Sequence, residues 1–244
     1  MQGQTEGCPV VNPTIKGALE YRYLDNVLLS LRHPVGEDII QGEESLLLAS
    51  HGGSGSLVPS FCDEYIKLSQ KQVLAIHVAR GATRVDEWLP GTERYEAMLR
   101  KVRDGIKKIS DSYPIERICF IWLQGESDAV AETPTKVYKQ RFLTLKTALK
   151  QAVGVQTFGI IKVGYFASQV SWMKRGTPDE RLGFDKAIMQ AQEELVQEED
   201  DCVMLTRICE SYSLCTEKLN PYEAGHYNNA AMEDIGRAAA RGLF

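Results

Sequence analysis

Gln124, Gly125, Glu126, Ser127 and Asp128 stand directly behind six largely apolar residues in ICFIWLQGESDAV, residues 118–130. An amide, two carboxylates and a hydroxyl at the end of a run suited to burial are groups that move protons and donate hydrogen bonds. A second apolar run, VLAIHVA at 73–79, leads into ARGATRVDEW. There Gly81 would let a backbone N–H come close to a bound molecule, and Trp88 offers an apolar wall. In NPYEAGHYNNAA, Glu223 precedes His226 by three residues. A neighbouring carboxylate can orient an imidazole and stabilise its protonated form. Each stretch also has a plainer reading: QGESD as a polar loop with a helix-capping acid, and His226 as a surface residue at a helix start. Of the other histidines, His33 and His51 fall in loop-like stretches, and His77 inside an apolar run reads as a hydrogen-bonded core residue.

The elements that must carry these residues alternate from residue 73 onward. VLAIHVA (73–79), RICFIWL (117–123), FGIIKVGYF (158–166) and CVML (202–205) are strands by composition. Between them, 92–110 is helical by period, with Tyr95, Met98, Leu99, Val102, Ile106 and Ile109 on one face. The next helix takes Thr133 as its cap and Pro134 as its first residue, and buries Val137, Tyr138, Leu145 and Leu149. DKAIMQAQEELVQ (185–197) and a final segment from about 226 to 241 are the remaining helices. Continuously apolar strands alternating with helices predict a parallel sheet covered on both faces, whose ligands bind beyond the carboxyl ends of the strands. The first 72 residues break the rhythm. NVLLSLRHPV and ESLLLAS are candidate hairpin arms, and 56–70 is a helix feeding the strand at 73. Without a repeat or linker, residues 1–244 form one domain.

The bulk composition narrows the function classes. The chain has 244 residues, 43% of them hydrophobic, with a formal net charge of -5. That is enough apolar material for a sizeable core, and the wrong sign for a nucleic-acid or anionic-membrane partner. No run of about 18 apolar residues is available to span a bilayer. Six cysteines are scattered without a C-x-x-C pair, which argues against a zinc site, and Cys119 reads as a small hydrophobe. A cytosolic chain with reduced thiols is the default expectation, with secretion left open.

WLQGESDA, GATRVDEW before it and EAGHYNN near the C-terminus resemble the carbohydrate esterases of the SGNH hydrolase superfamily. The similarity is to the group of sialate O-acetylesterase-like proteins and family 6 acetylxylan esterases, and it runs from residue 1 to about 240. QGESDA is its most specific piece. RGATRVDEW is similar to a GGTSIDEW block, with Ala82 in place of the second glycine and Arg84 in place of a small residue. HGGSGSLVPSF looks like the stretch leading into the preceding helix. The resemblance implies a three-layer α/β/α, flavodoxin-like fold with a parallel sheet. It also implies serine-dependent hydrolysis of acetyl esters on sugars without metal or cofactor. Gly81 would then match the oxyanion-hole glycine, with Gln124 a side-chain donor flanked by Gly125 and Glu126. His226 would match the general base, and Glu223 stands where the family usually has aspartate. Arg84, Trp88 and residues 128–133 would contact substrate.

The family serine lies in a GQSN motif after the first strand, and MQGQTEG looks like sequence just beyond that motif. The resemblance therefore places the nucleophile two residues before Met1 and leaves an inner strand of the sheet unsupplied, with its two neighbours short of hydrogen-bond partners. Two other readings compete. One is a sugar-binding protein of this fold without catalysis. The other is an α/β-hydrolase elbow in which GESDA places Ser127 as nucleophile, HGGSG at 51–55 makes the oxyanion motif, and the chain order serine, acid, histidine is kept. Against the elbow, the next helix is expected six or seven residues after Ser127 instead of at once.

Overall fold

A computed structural model describes residues 3–4, 13–37, 54–170, 173, 175–221 and 224–244. ESLLLAS, His51 and Glu223 lie outside the described residues. A two-residue strand β1 (Gly3–Gln4) precedes a hairpin, β2 (Ala18–Arg22) and β3 (Val27–Ser30), which turns at Asn26 with φ 51. β4 (Ser54–Gly55) pairs with β1. The alternation then runs α1 (Val58–Ser69), β5 (Val73–Ala75), α2 (Glu93–Ser110), β6 (Cys119–Trp122), α3 (Glu126–Val130), α4 (Thr135–Val153), β7 (Thr157–Ile161), α5 (Pro178–Glu198), β8 (Cys202–Thr206), α6 (Ile208–Tyr212) and α7 (Asn229–Arg241).

β5 runs parallel to β2, while β6, β7 and β8 form a parallel ladder. Alternate strand residues point to opposite faces, and the two faces are covered by different helices. Trp122, Phe158 and Ile160 pack with Tyr95 and Met98 of α2, Phe142 and Leu145 of α4, and Ile188 of α5. Ile121, Ile161 and Leu205 pack instead in a cluster with α7, Phe61 of α1 and Leu57 just before that helix. The result is the expected three-layer α/β/α arrangement. α1 and α7 approach closely: a Cβ added to Gly236 would lie 2.4 Å from the Leu57 carbonyl oxygen.

The sheet is in two halves. The described strands order as β3-β2-β5 in one and β6-β7-β8 in the other, and no described strand lies between β5 and β6. Burial follows the pairing: β7, hydrogen-bonded on both sides, is buried at all five residues, whereas Cys119, Phe120 and Ile121 of β6 and Val73 and Leu74 of β5 are half-buried.

Several boundaries differ from the sequence expectations, each for a local reason. The hairpin's first arm is ALEYR, with VLLS as the second. The strand at 73 stops at Ala75. Pro134 flanks α4, which begins at Thr135, because Thr133 is tied back through its N–H to the Asp128 carbonyl. α5 starts seven residues before Asp185. A capping box closes there between Thr177 and Glu180, with Pro178 in the first turn. α7 starts at Asn229, capped by the Asn228 side chain, so His226 sits in the loop before it.

Candidate active site

The turn after β6 is built on Gly125, whose φ of 152 and closeness to Ile188 (2.6 Å from an added Cβ) leave no room for a side chain. That backbone reversal swings Gln124 inward, where it is buried. Its amide donates to the Thr83 carbonyl (3.0 Å) and to Asp128 Oδ2 (2.6 Å). Both amide hydrogens therefore have acceptors within the protein, so the side chain expected to serve as a free donor instead clamps the 83 loop to α3. The Tyr138 hydroxyl donates to the Gln124 carbonyl (2.9 Å) and receives the Trp122 indole N–H (3.1 Å). Gln192 also donates to that carbonyl, at 2.9 Å, and accepts from the Val163 N–H. Burial holds the Tyr138 hydroxyl well above the usual phenol range.

Asp128, fully buried, completes the clamp by accepting the Val85 N–H at 2.8 Å. Burial raises its carboxyl above the ordinary range, against the lowering effect of the hydrogen bonds from Gln124, Val85 and Thr133. Its Oδ1 has no protein partner. Two expectations for the neighbouring loop change here. Trp88 is 4% exposed, donates its indole N–H to Thr83 Oγ1 and meets Trp122 edge-on, so it is core and not a wall of the site. Gly81 is exposed, with nothing within 4 Å of an added Cβ, and the left-handed residue is Ala82 at φ 57. Gly81 is thus open to approach, while the turn's conformational demand falls one residue later.

His226 is presented by a short antiparallel contact: Leu219 bridges Tyr227, and Asn220 N–H donates to the His226 carbonyl at 2.8 Å. Gly225 makes the turn at φ 77, with an added Cβ 2.6 Å from the Phe166 ring. The imidazole stands edge-on to that ring at 5.8 Å, and its Nδ1 lies 3.2 Å from the Ala224 carbonyl. Phe166 is itself fixed. The buried Asp185 carboxylate accepts the N–H groups of Phe166, Ala167 and Ser168 and the Ser168 hydroxyl. Next to the histidine, Tyr227 donates to the Cys209 carbonyl at 3.0 Å. The charge of Glu126 is among the causes that raise the Tyr227 hydroxyl and the Cys209 thiol, though burial is the larger cause for both.

The leaving ends of β6 and β7 therefore meet at one edge. Gln124, Gly125 and Glu126 follow β6, and Val163, which touches the Gly125 turn, follows β7 with Phe166, which carries His226. Gly81 joins through Thr83. Glu223 lies outside the described residues. Sequence reasoning missed Asp185, Gln192 and the Tyr138 hydroxyl. Their partners lie from 14 to 68 residues away in the chain, so spacing carries no sign of them. His77, expected to be hydrogen-bonded, has a buried Nδ1 without a partner.

α3 also bears on the elbow reading, because a helix does begin at once after β6. Yet Ser127 is the second residue of that helix, and the strained backbone is two residues earlier at Gly125. An elbow places its strain at the nucleophile itself.

The family model for carbohydrate esterase, sialic acid-specific acetylesterase matches residues 35–241. Among solved structures, the 1.6 Å X-ray structure of a protein from Arabidopsis thaliana is similar with a TM-score of 0.65 at 16% identity, covering 95% of this chain and 81% of that one. At that identity the likeness shows the fold. No curated protein matches the chain. A model that matches most of the chain's length, and spans every described segment from β5 to α7, shows that the chain belongs to the carbohydrate esterase, sialic acid-specific acetylesterase family.

Proposed function

We propose that this chain supplies the base, the acid and the flanking loops of a Ser–His–acid centre that removes acetyl groups from sugar hydroxyls, with the serine of the family's GQSN motif as nucleophile. The observation that carries the reading is the placement of His226 on Phe166, at the sheet edge where the QGESD turn leaves β6. His226 takes the serine proton as the oxygen attacks the acetyl carbonyl, and returns it to the departing sugar oxygen. Water then attacks the acetyl-enzyme with the same base. Glu223 holds the imidazole tautomer. The open backbone at Gly81 and the N–H of the serine receive the oxyanion, each such donor contributing roughly 3–4 kcal/mol. The Gln124 amide holds the Thr83 loop in register instead of binding oxyanion, since its hydrogens are engaged.

The test is hydrolysis of p-nitrophenyl acetate and acetylated sugars by the protein carrying a GQSN segment. His226→Ala is expected to lower turnover on the order of a million-fold, the loss seen when one member of such a unit is removed. Full activity in that variant ends the assignment. The immediate start of α3 keeps Ser127 as a second reading: near-complete loss in Ser127→Ala would favour the elbow, and a modest change the GQSN serine. A protein that carries the GQSN segment and folds but cleaves no ester would favour sugar binding without catalysis.

A further inference from the structure

We propose that Asp185 is a positioning residue for the general base: from α5 it holds the loop after β7, and through Phe166 that loop sets the plane of the His226 imidazole. The proposal rests on the reading of His226 as the base. Asp185 is 1% exposed, and donors from three successive residues converge on its carboxylate. Oδ1 accepts the N–H groups of Phe166 (3.0 Å) and Ala167 (2.8 Å), and Oδ2 accepts the N–H of Ser168 (3.0 Å) and its hydroxyl (2.6 Å). Successive N–H groups aim at one carboxylate when the backbone coils around it, a concave arrangement that suits an anion. The carboxylate therefore dictates the path of residues 166–168. The Phe166 carbonyl is held as well, by the N–H groups of Gln169 (2.9 Å) and Val170 (3.1 Å). With its backbone fixed on both sides, Phe166 lays its ring where Gly225 leaves room, edge-on to His226 at 81° and 5.8 Å between centroids. Edge-on is a favoured geometry for two aromatic rings.

The same helix also holds the turn after β6. Ile188 closes on Gly125, 2.6 Å from a Cβ added there. Gln192 accepts the Val163 N–H and donates to the Gln124 carbonyl, both at 2.9 Å. Positions 185, 188 and 192 follow the i, i+3, i+7 pattern within α5, so they share one face of it. One rigid face thus touches both the loop that seats the base and the turn that carries QGESD, and it sets the distance between them. Loss of the Asp185 carboxylate releases residues 166–168 from that face, while Ile188 and Gln192 keep the QGESD turn in place. The imidazole then moves relative to the rest of the site, which lowers turnover more than substrate binding. A carboxylate with a packing role alone would lower stability and leave the imidazole where it is.

The test has two arms. In the first, the full chain is labelled with carbon-13 at histidine, and the ring-current shift that Phe166 imposes on the His226 imidazole protons is read by NMR without any ester. Asp185→Ala is expected to abolish that shift. Asp185→Asn is expected to keep it, because the remaining carbonyl oxygen still accepts from Phe166 and Ala167. Leu195→Ala is the control: Leu195 is equally buried on α5, about 15 Å along the helix axis from Asp185. It is expected to lower the denaturant midpoint and leave the shift intact. In the second arm, acetyl-ester kinetics are measured on the protein carrying the GQSN segment. Asp185→Ala is expected to lower kcat about a hundredfold with KM little changed, and Asp185→Asn and Leu195→Ala to stay near the parent. A parent-like shift and kcat in folded Asp185→Ala, or equal losses in Leu195→Ala, would overturn the proposal. Should Asp185→Ala fail to fold, Phe166→Leu takes its place in the kinetic arm, since it removes the ring and keeps the backbone bonds to Asp185. A kcat loss of similar size is then expected, and parent kcat would overturn the proposal. The arms separate the two readings. An abolished shift in a protein that never cleaves an acetyl ester would sink the proposed function and leave the link from Asp185 to His226 standing. An inactive His226→Ala beside a fully active Asp185→Ala would do the reverse.

Discussion

Gly225 is the residue on which the position of the imidazole turns. Its φ of 77 belongs to the left-handed region, and the Phe166 ring fills the space a side chain would need. A methyl group there meets both penalties, strain and overlap, together worth roughly 2–4 kcal/mol. Gly225→Ala is expected to lower the denaturant midpoint accordingly. In the protein carrying the GQSN segment it is expected to reduce acetyl-ester turnover by about a hundredfold, the usual loss for a displacement near 1 Å. Unchanged stability and turnover would show that the loop does not depend on this contact. The demand was legible in EAGH only as the presence of a glycine; that Phe166, 59 positions earlier, is its neighbour was not. Ala82 makes a similar point in reverse. At φ 57 it holds a conformation that glycine adopts more readily, which fits its position opposite a glycine in the family block.

At the scale of elements, Asp128 joins the turn after β6 to the loop after β5. Its loss leaves Val85 N–H and one Gln124 hydrogen without an acceptor inside the protein. Asp128→Ala is expected to cost about 3 kcal/mol in urea unfolding, and Asp128→Asn less, because one acceptor oxygen survives. Equal costs for the two variants would mean that packing, not hydrogen bonding, sets the value. Much of this layer was readable: β5, β6, β7 and β8 announce themselves as apolar runs, and α2 by its 3.6-residue period. ALEYR was missed because it is short and interrupted by Glu20 and Arg22, whose charges are buried against the 33–37 loop and α2. α3 is too short for periodicity to register. The start of α5 was present as TPDE, a capping box lying outside the apolar stretch that drew attention. Trp88 was misplaced because composition reports that an indole is apolar and says nothing of which way it turns.

Across the whole molecule, the half-sheet carrying the hairpin is pinned to α2 by buried charge. Lys101, with no exposed surface, pairs with Glu37 at 2.8 Å. Close by, burial and then the Lys101 charge push the His77 imidazole down from 6.5 to about 3. Below 6.5 the unfolded chain binds a proton at this ring that the folded chain refuses until about 3. Stability is therefore fullest above 6.5 and falls as pH drops through that window. The slope approaches about 1.4 kcal/mol per pH unit from this group. His77→Gln should flatten the pH dependence of the unfolding free energy between those limits, and a profile identical to the parent would exclude His77 as its source.

The close crossing of α1 and α7 has a consequence for biosynthesis. The two helices are separated by about 160 positions, and contacts of such range form late in folding. While translation proceeds, the apolar stripe of α1, Phe61 included, has no α7 to cover it until about 160 further residues have been made. The nascent polypeptide must therefore carry a sticky helix throughout that interval, which makes it a natural client for a holding chaperone.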